Sequence, residues 1–363
     1  MTKTAYNTTK RQDEFTGYIM RGDNITADVE RDQIVDATPS APLYIQRFND
    51  FNGWIKDRGA DLQRSYMRAI LRRLNLPLLD VSAAVMFVHA AAINDTFWVK
   101  ERDSDLTYND VKFSNDAYFK AALCGDAGLF GLPIETTPEI TNIGSFNKGW
   151  RLIGGKWYLY KSGSALEYFS ELFVSALAAE LGLGAVTYWM DAGYIVCENF
   201  VRDGQCFEPA KSVVGNNIGY MDNGKAMREF GLLKPYLDLI FTDVIVRNAD
   251  RHEFNYGFIT DERGIVSLAP NFDNNVSLFF SGIPDNLTRQ DVLVAEFCEV
   301  LQYLDTISFR YALPRLDEGV IARAYNQIEE PYRSEVPIKT LTAFCLNAYR
   351  LIERFAEGLH GKL

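Results

Sequence analysis

The sequence predicts an α+β fold in two lobes, a small β-rich lobe followed by a mainly helical large lobe, behind an N-terminal extension. Three observations lead there. Between Thr141 and Phe200, short runs of alternating apolar and polar residues surround a single helical pattern. From Gly224 onward the apolar residues recur at helical intervals. Inside that helical half, the polar stretch Asp243 to Gly257 is followed by a tight hairpin and a further aspartate, Asp273. The spans read from these patterns are 1–135, 136–200 and 201–363.

Composition limits the classes open to the chain. Its 363 residues, 47% hydrophobic and 23% charged, match a folded protein with room for two or three domains. A net charge of -11 argues against nucleic acid as the main partner, because phosphate binding needs a basic face. Met1-Thr-Lys-Thr-Ala-Tyr6 has no apolar h-region. The longest apolar run, Val81 to Ile93, is shorter than the ~20 residues of a membrane span, so a soluble cytoplasmic protein is expected. The five cysteines are widely spread without C-x-x-C spacing and read as reduced packing residues.

The extension begins with a hairpin around Arg21-Gly-Asp-Asn24, its tripeptide no more than a turn. Helical spacing runs from Asp50 to Leu74 with a break at Arg58-Gly59. There Arg64, Arg68, Arg72 and Arg73 form a basic stripe, read as a solvated helix face. Val81 to Ile93 reads as a buried helix with His89 as a core histidine, and Asn94 to Lys100 as a short strand. The Gly-rich stretch Cys124 to Pro133 reads as a linker.

In the small lobe, Gly144, Ser145 and Gly149 make a loop whose backbone N–H groups can approach phosphate oxygens. It matches neither G-x-G-x-x-G nor a Walker loop. The strand Trp157 to Tyr160 ends in Lys161, the position from which a kinase lysine reaches nucleotide phosphates. The helix that follows puts Glu171 in its first turns as the partner for Lys161, while Glu167 reads as a cap. Tyr194 to Cys197 forms a strand running into Glu198-Asn-Phe200, a hinge whose backbone would bond an adenine edge.

In the helical half, Asp250 and Asn255 stand at the spacing of a kinase base and its amide magnesium ligand. Strands over Tyr256–Ile259 and Ile265–Leu268, with the turn Thr260–Gly264 between them, would return Asp273 to Asn255. Asp, Asn and Gly clusters are also ordinary turn chemistry. The order decides for function: small-residue loop, strand lysine, helix glutamate, hinge, helices, D-x-x-x-x-N, hairpin, aspartate. That is the order of a protein-kinase-like fold. It assigns ATP and Mg2+ as cofactors, Asp250 as base, Asn255 and Asp273 as metal ligands, and Lys161 with Glu171 to the phosphates.

Asn248-Ala-Asp-Arg-His252, Asn255 and Leu268-Ala-Pro-Asn-Phe-Asp273 also resemble the HipA-type kinases, bacterial Ser/Thr kinases often acting as toxins. The resemblance runs from about Thr137 to the C-terminus. It implies transfer from ATP to a protein Ser or Thr, an antitoxin partner, a bracing role for Arg251 and His252, and silencing when Ser145 is phosphorylated. Two features depart from ordinary protein kinases: the charged pair follows Asp250 instead of preceding it, and Asn274 follows Asp273. A small-molecule kinase, a silent nucleotide-binding module and a metal-dependent hydrolase using Asp250, His252 and Asp273 stay open as alternatives.

Overall fold

The computed structural model describes residues 14–360 apart from 63, 65, 79, 126, 127, 129, 130, 133–135, 145, 217 and 218. Two compact units divide the chain: Met1–Ser162, Met190–Val213 and Phe258–Ser267 form the first, and Gly163–Trp189, Val214–Gly257 and Leu268–Leu363 the second.

The first unit opens with β1 (Gly17–Arg21), β2 (Asn24–Glu30) and β3 (Gln33–Ala37). The Arg-Gly-Asp tripeptide is indeed a turn: Arg21 pairs with Asn24, and Gly22 takes φ 55, which costs glycine little. With β4 (Phe97–Glu101) these strands form a sheet in the order β3-β2-β1-β4. β3 escaped the periodic reading because it is an edge strand that turns only Ile34 toward the core, with Val35 60% accessible. The predicted helical stretch divides at Arg58-Gly59 into helices Phe51–Asp57 and Met67–Arg73. Val81 to Ile93 is helical only as far as Phe87; beyond it His89 and Ala90 take positive φ.

Ile19, Ile45, Trp54, Ile70, Val85 and Trp98 form one buried cluster that continues into Ile140 and Cys206, with Trp157 against it. Each such fully buried side chain contributes roughly 1.5–3 kcal/mol. The N-terminal region therefore shares its core with the strands that follow. Those strands are β5 (Lys148–Ile153), β6 (Lys156–Lys161), β7 (Trp189–Asp191) and β8 (Tyr194–Glu198), ordered β5-β6-β8-β7. A third sheet, β11-β10-β9, joins β9 (Cys206–Pro209) to the predicted hairpin, β10 (Gly257–Asp261) and β11 (Gly264–Leu268).

Helices make up most of the second unit. Ser164 and Glu167 form a capping box at the start of the Ala165–Glu180 helix, as Glu167's place before the apolar run predicts. The helices Tyr220–Glu229, Leu233–Val246, Val292–Thr306, Glu318–Asn326 and Ile338–His360 follow. Phe241 of the Leu233–Val246 helix meets Phe297 with ring centroids 6.2 Å apart and Tyr349 at 6.4 Å. This packing fixes the helix whose C-terminus delivers the polar loop.

Candidate active site

The Leu233–Val246 helix stops at Arg247, which takes φ 54, and the Asn248 amide closes on the Asp243 carbonyl at 2.8 Å. Buried Arg289 donates to the Val244 carbonyl and, at 2.8 Å, to the Ile245 carbonyl, satisfying groups that a helix end leaves orphaned. The helix terminus is thereby a firm base for the loop 248–255.

Arg251 organises that loop. Its guanidinium meets both carboxylate oxygens of Asp243 at 2.9 Å, in the two-pronged geometry that suits arginine. The same group donates to the carbonyls of Asn255 at 2.6 Å and Phe272 at 2.7 Å, and to the side chains of Asn271 at 2.7 Å and Asn274 at 2.8 Å. One buried cation thus ties the Asp250–Asn255 loop to the segment carrying Asp273. Asn248 adds to this from within the loop, accepting from the Asp250 amide at 3.1 Å and donating to Asn274 at 3.3 Å. Asn255 donates its amide N–H to the Asp250 carbonyl at 2.9 Å, which commits Nδ2 to the loop and makes Oδ1 the side-chain atom a cation could use.

Glu171 is fully buried in the same unit, and its Oε2 accepts from the Asn274 backbone amide at 2.9 Å. The helix glutamate therefore holds the residue next to Asp273. Asp273 takes φ 62, a left-handed conformation that Asp tolerates better than most residues, and its amide donates to the Tyr188 hydroxyl at 3.4 Å. The structure brings Asp250, Asn255, Asp273 and Glu171 into one hydrogen-bonded framework, with Arg251 as the predicted brace. His252 accepts from the Phe254 amide at 3.2 Å, an interaction internal to the loop.

Burial pushes the Asp250 carboxyl up; His252 opposes that shift and Asp273 adds to it. Burial also raises Asp243, against the pull of Arg251. The Asp250 and Asp273 carboxylates, whose charges oppose each other, and the Asn255 amide oxygen are hard oxygen donors of the kind magnesium prefers. Among the described residues, no three His, Cys, Asp or Glu side chains gather as a metal-holding cluster.

No role was read in the sequence for Asp243, Asn271, Asn274 or Arg289. Asp243 carried a usable signal: an aspartate within the apolar run Phe241–Val246 demands a buried partner. The asparagines are indistinguishable from turn residues until the fold places them.

The remaining candidates lie in the first unit. Lys161 is buried at the end of β6, in register with Lys148 on β5. Gly144 takes φ 115, accessible to glycine and strained for other residues. Ser145 lies outside the described residues. Gly149 is not a loop glycine. It sits on β5, where a β-carbon would come within 2.9 Å of the Phe119 carbonyl. Glu198 pairs with Lys156 at 2.8 Å and lines a cavity of about 800 Å3 with Trp157, Tyr108 and Lys112. The Phe200 ring packs edge-on against Phe207 at 5.5 Å. The basic stripe requires a correction: Arg68 and Arg72 are exposed, but Arg64 is 3% accessible and bonded to the 142–144 backbone. Among the cysteines, Cys124 is exposed and so is not a packing residue.

No family model matches the sequence, and no curated protein matches it. The fold is similar to HipA of the Shewanella oneidensis MR-1 toxin-antitoxin system, solved with HipB and its operator DNA. That likeness has a TM-score of 0.55 at 13% identity and covers 94% of this chain and 99% of that one. It therefore takes in the N-terminal region too. The Helicobacter pylori proinflammatory kinase CtkA is a second neighbour, with a TM-score of 0.43 at 16% identity over 59% of this chain and 94% of that one. The fold of the chain is thus HipA-like.

Proposed function

We propose that this chain is a HipA-like kinase that transfers the γ-phosphate of ATP to a Ser or Thr hydroxyl of a protein. The observation that carries the reading is the Arg251 network, which holds the Asn255 and Phe272 carbonyls at 2.6 and 2.7 Å and so couples the loops bearing Asp250, Asn255 and Asp273. Phosphoryl transfer relies on positioning and charge neutralisation, and a rigid loop pair serves both.

In this mechanism Asp250 orients the acceptor hydroxyl and takes its proton, a task suited to a carboxyl raised by burial. Asn255 Oδ1 and the Asp273 carboxylate would hold magnesium, which supplies neutralisation of phosphate charge. Gly144 and Lys161 would meet the phosphates, with Glu171 orienting the lysine, and the backbone at Glu198 to Phe200 would meet the adenine. A toxin-type role, a protein antitoxin and a cytoplasmic location belong to the same proposal, since the HipA neighbour was solved with HipB. Among the described residues no helix is long and apolar enough to cross a membrane.

Incubation with labelled ATP and magnesium, followed by mass spectrometry of the chain and of a cell extract, tests the reading. Phosphate on protein Ser or Thr, reduced by about 10²–10⁴-fold in Asp250→Asn, is expected. ATP at one hundred times its dissociation constant should also stabilise the fold by about 2.7 kcal/mol. Binding without transfer would reduce the chain to a silent nucleotide-binding module, and label on a metabolite would make it a small-molecule kinase.

A further inference from the structure

The arginine stripe of the N-terminal region leads to a role for that region. Arg64 is 3% accessible, and its Nε and Nη2 donate to the carbonyls of Gly144 at 2.6 Å and Asn142 at 2.5 Å. Two residues on, the Tyr66 hydroxyl accepts from the Lys148 amide at 3.2 Å and lies 3.3 Å from the Lys148 carbonyl. The loop is thus held at both ends by residues some eighty positions earlier in the chain. Gly144 is held in a conformation open mainly to glycine, and a β-carbon there would come 2.5 Å from Lys148 Nζ.

The charges behind the loop are Arg64, Lys148 and the fully buried Glu139, whose Oε2 accepts from Asn142 at 2.9 Å and whose Oε1 accepts from the Trp150 amide at 2.8 Å. Both cations act on Glu139, lowering its carboxyl against the larger rise that burial causes. Among the described residues Arg64 Nη1 is buried without an acceptor at hydrogen-bonding geometry, and the Arg64 side chain also acts on the Tyr66 hydroxyl. Arginine's planar fork can hold two backbone carbonyls in a fixed relation, which a loose point charge does poorly.

We propose that Arg64 is a positioning residue for the 142–144 segment ahead of β5: by fixing the Asn142 and Gly144 carbonyls it turns the backbone there toward a bound polyphosphate. The N-terminal region then belongs to the nucleotide-binding apparatus. This rests on the proposed function, in which Gly144 meets the phosphates.

Two measurements on the full chain test it, using wild type, Arg64→Met and Arg64→Lys. Hydrogen exchange of peptides spanning 141–149 should quicken at least about tenfold in Arg64→Met, while the 341–352 stretch of the C-terminal helix is unchanged; loss of one charged hydrogen bond suffices for such a change. Calorimetric titration with magnesium should show Arg64→Met losing about tenfold in affinity for ATP and ADP but not for AMP, with Arg64→Lys between the two. A structural prop alone would not separate nucleotides by phosphate count. Unchanged loop exchange, or equal losses for ATP and AMP, overturns the proposal. If wild type binds no nucleotide, the kinase reading fails, and the exchange result still decides whether Arg64 fixes the loop. If Arg64→Met does not fold, the comparison of Arg64→Lys with wild type carries both measurements.

Discussion

Asp250 and Asp273 stand at the ends of two loops tied by Arg251, and they should fail in different ways. Asp250→Asn keeps the volume and removes the proton acceptor, so nucleotide should still bind while transfer falls by about 10²–10⁴-fold. Asp273→Asn replaces a charged ligand by a neutral amide, so magnesium-dependent nucleotide affinity should fall together with transfer. Titrating ATP with and without magnesium, beside a transfer assay of each variant, separates the two roles; metal-dependent binding untouched in Asp273→Asn would reject the ligand assignment. Arg251 is a different case, because its loss strands the buried Asp243 carboxylate. Arg251→Ala should destabilise the second unit by about 3–5 kcal/mol in denaturant unfolding. Arg251→Lys should lose most of that as well, since an ammonium cannot pair with Asp243 two-pronged and also reach Asn255, Phe272, Asn271 and Asn274. A lysine variant of wild-type stability would mean the network is ornamental. Spacing made Asp250, Asn255 and Asp273 legible in the sequence, because a loop keeps its chemistry in order. Asn271 and Asn274 were not legible, because their role is to accept from a cation 20 and 23 positions away.

Elements with one buried face, or with local caps, could be read directly. Glu167 marked the start of the Ala165–Glu180 helix as a cap, and the structure supplies its partner Ser164, their reciprocal bonds satisfying two orphan amides. Ser164→Ala should therefore cost about 1 kcal/mol, whereas Ser164→Asp should be nearly neutral. Chemical denaturation followed by circular dichroism reads this, and an alanine variant as stable as wild type would show the cap to be redundant. The β10–β11 hairpin was legible for a similar local reason, as two apolar runs flank Thr260–Gly264. β9 was not, since its partner β10 comes some fifty residues later and nothing local marks so short a strand. The Arg64 stripe misled in the opposite direction. Its spacing fits a helix face, yet the Met67–Arg73 helix begins only after Arg64, which leaves that side chain to turn inward.

At the scale of the whole molecule, the acidic chain conceals carboxylates whose environment opposes their charge. Glu139 and Glu208, both in the first unit, are fully buried, and burial pushes each up to about 7 against the hydrogen bonds that favour the anion. Glu208 takes the Leu43 amide at 2.5 Å and the Thr260 hydroxyl at 2.9 Å, so it joins distant parts of that unit. A carboxyl raised on folding binds its proton more tightly in the native state than in the unfolded one. Its contribution is fully present below the ordinary value of 4.5 and is lost as pH rises through about 7. A shift of this size corresponds to roughly 3 kcal/mol per group. The raised Asp243 and Asp250 in the second unit act with the same sign. Asp317 and Glu330, both lowered, act with the opposite sign, but only at pH values below the ordinary carboxylate range. Stability should thus fall between pH 5 and pH 8, an interval in which ordinary carboxylates no longer titrate. Glu139→Gln with Glu208→Gln should flatten that fall, because glutamine resembles the protonated form at every pH. Denaturant midpoints at half-unit steps from pH 5 to pH 8 check it. A wild-type midpoint that stays level, or a double variant that declines as steeply, would mean that neither carboxyl carries its proton into the neutral range.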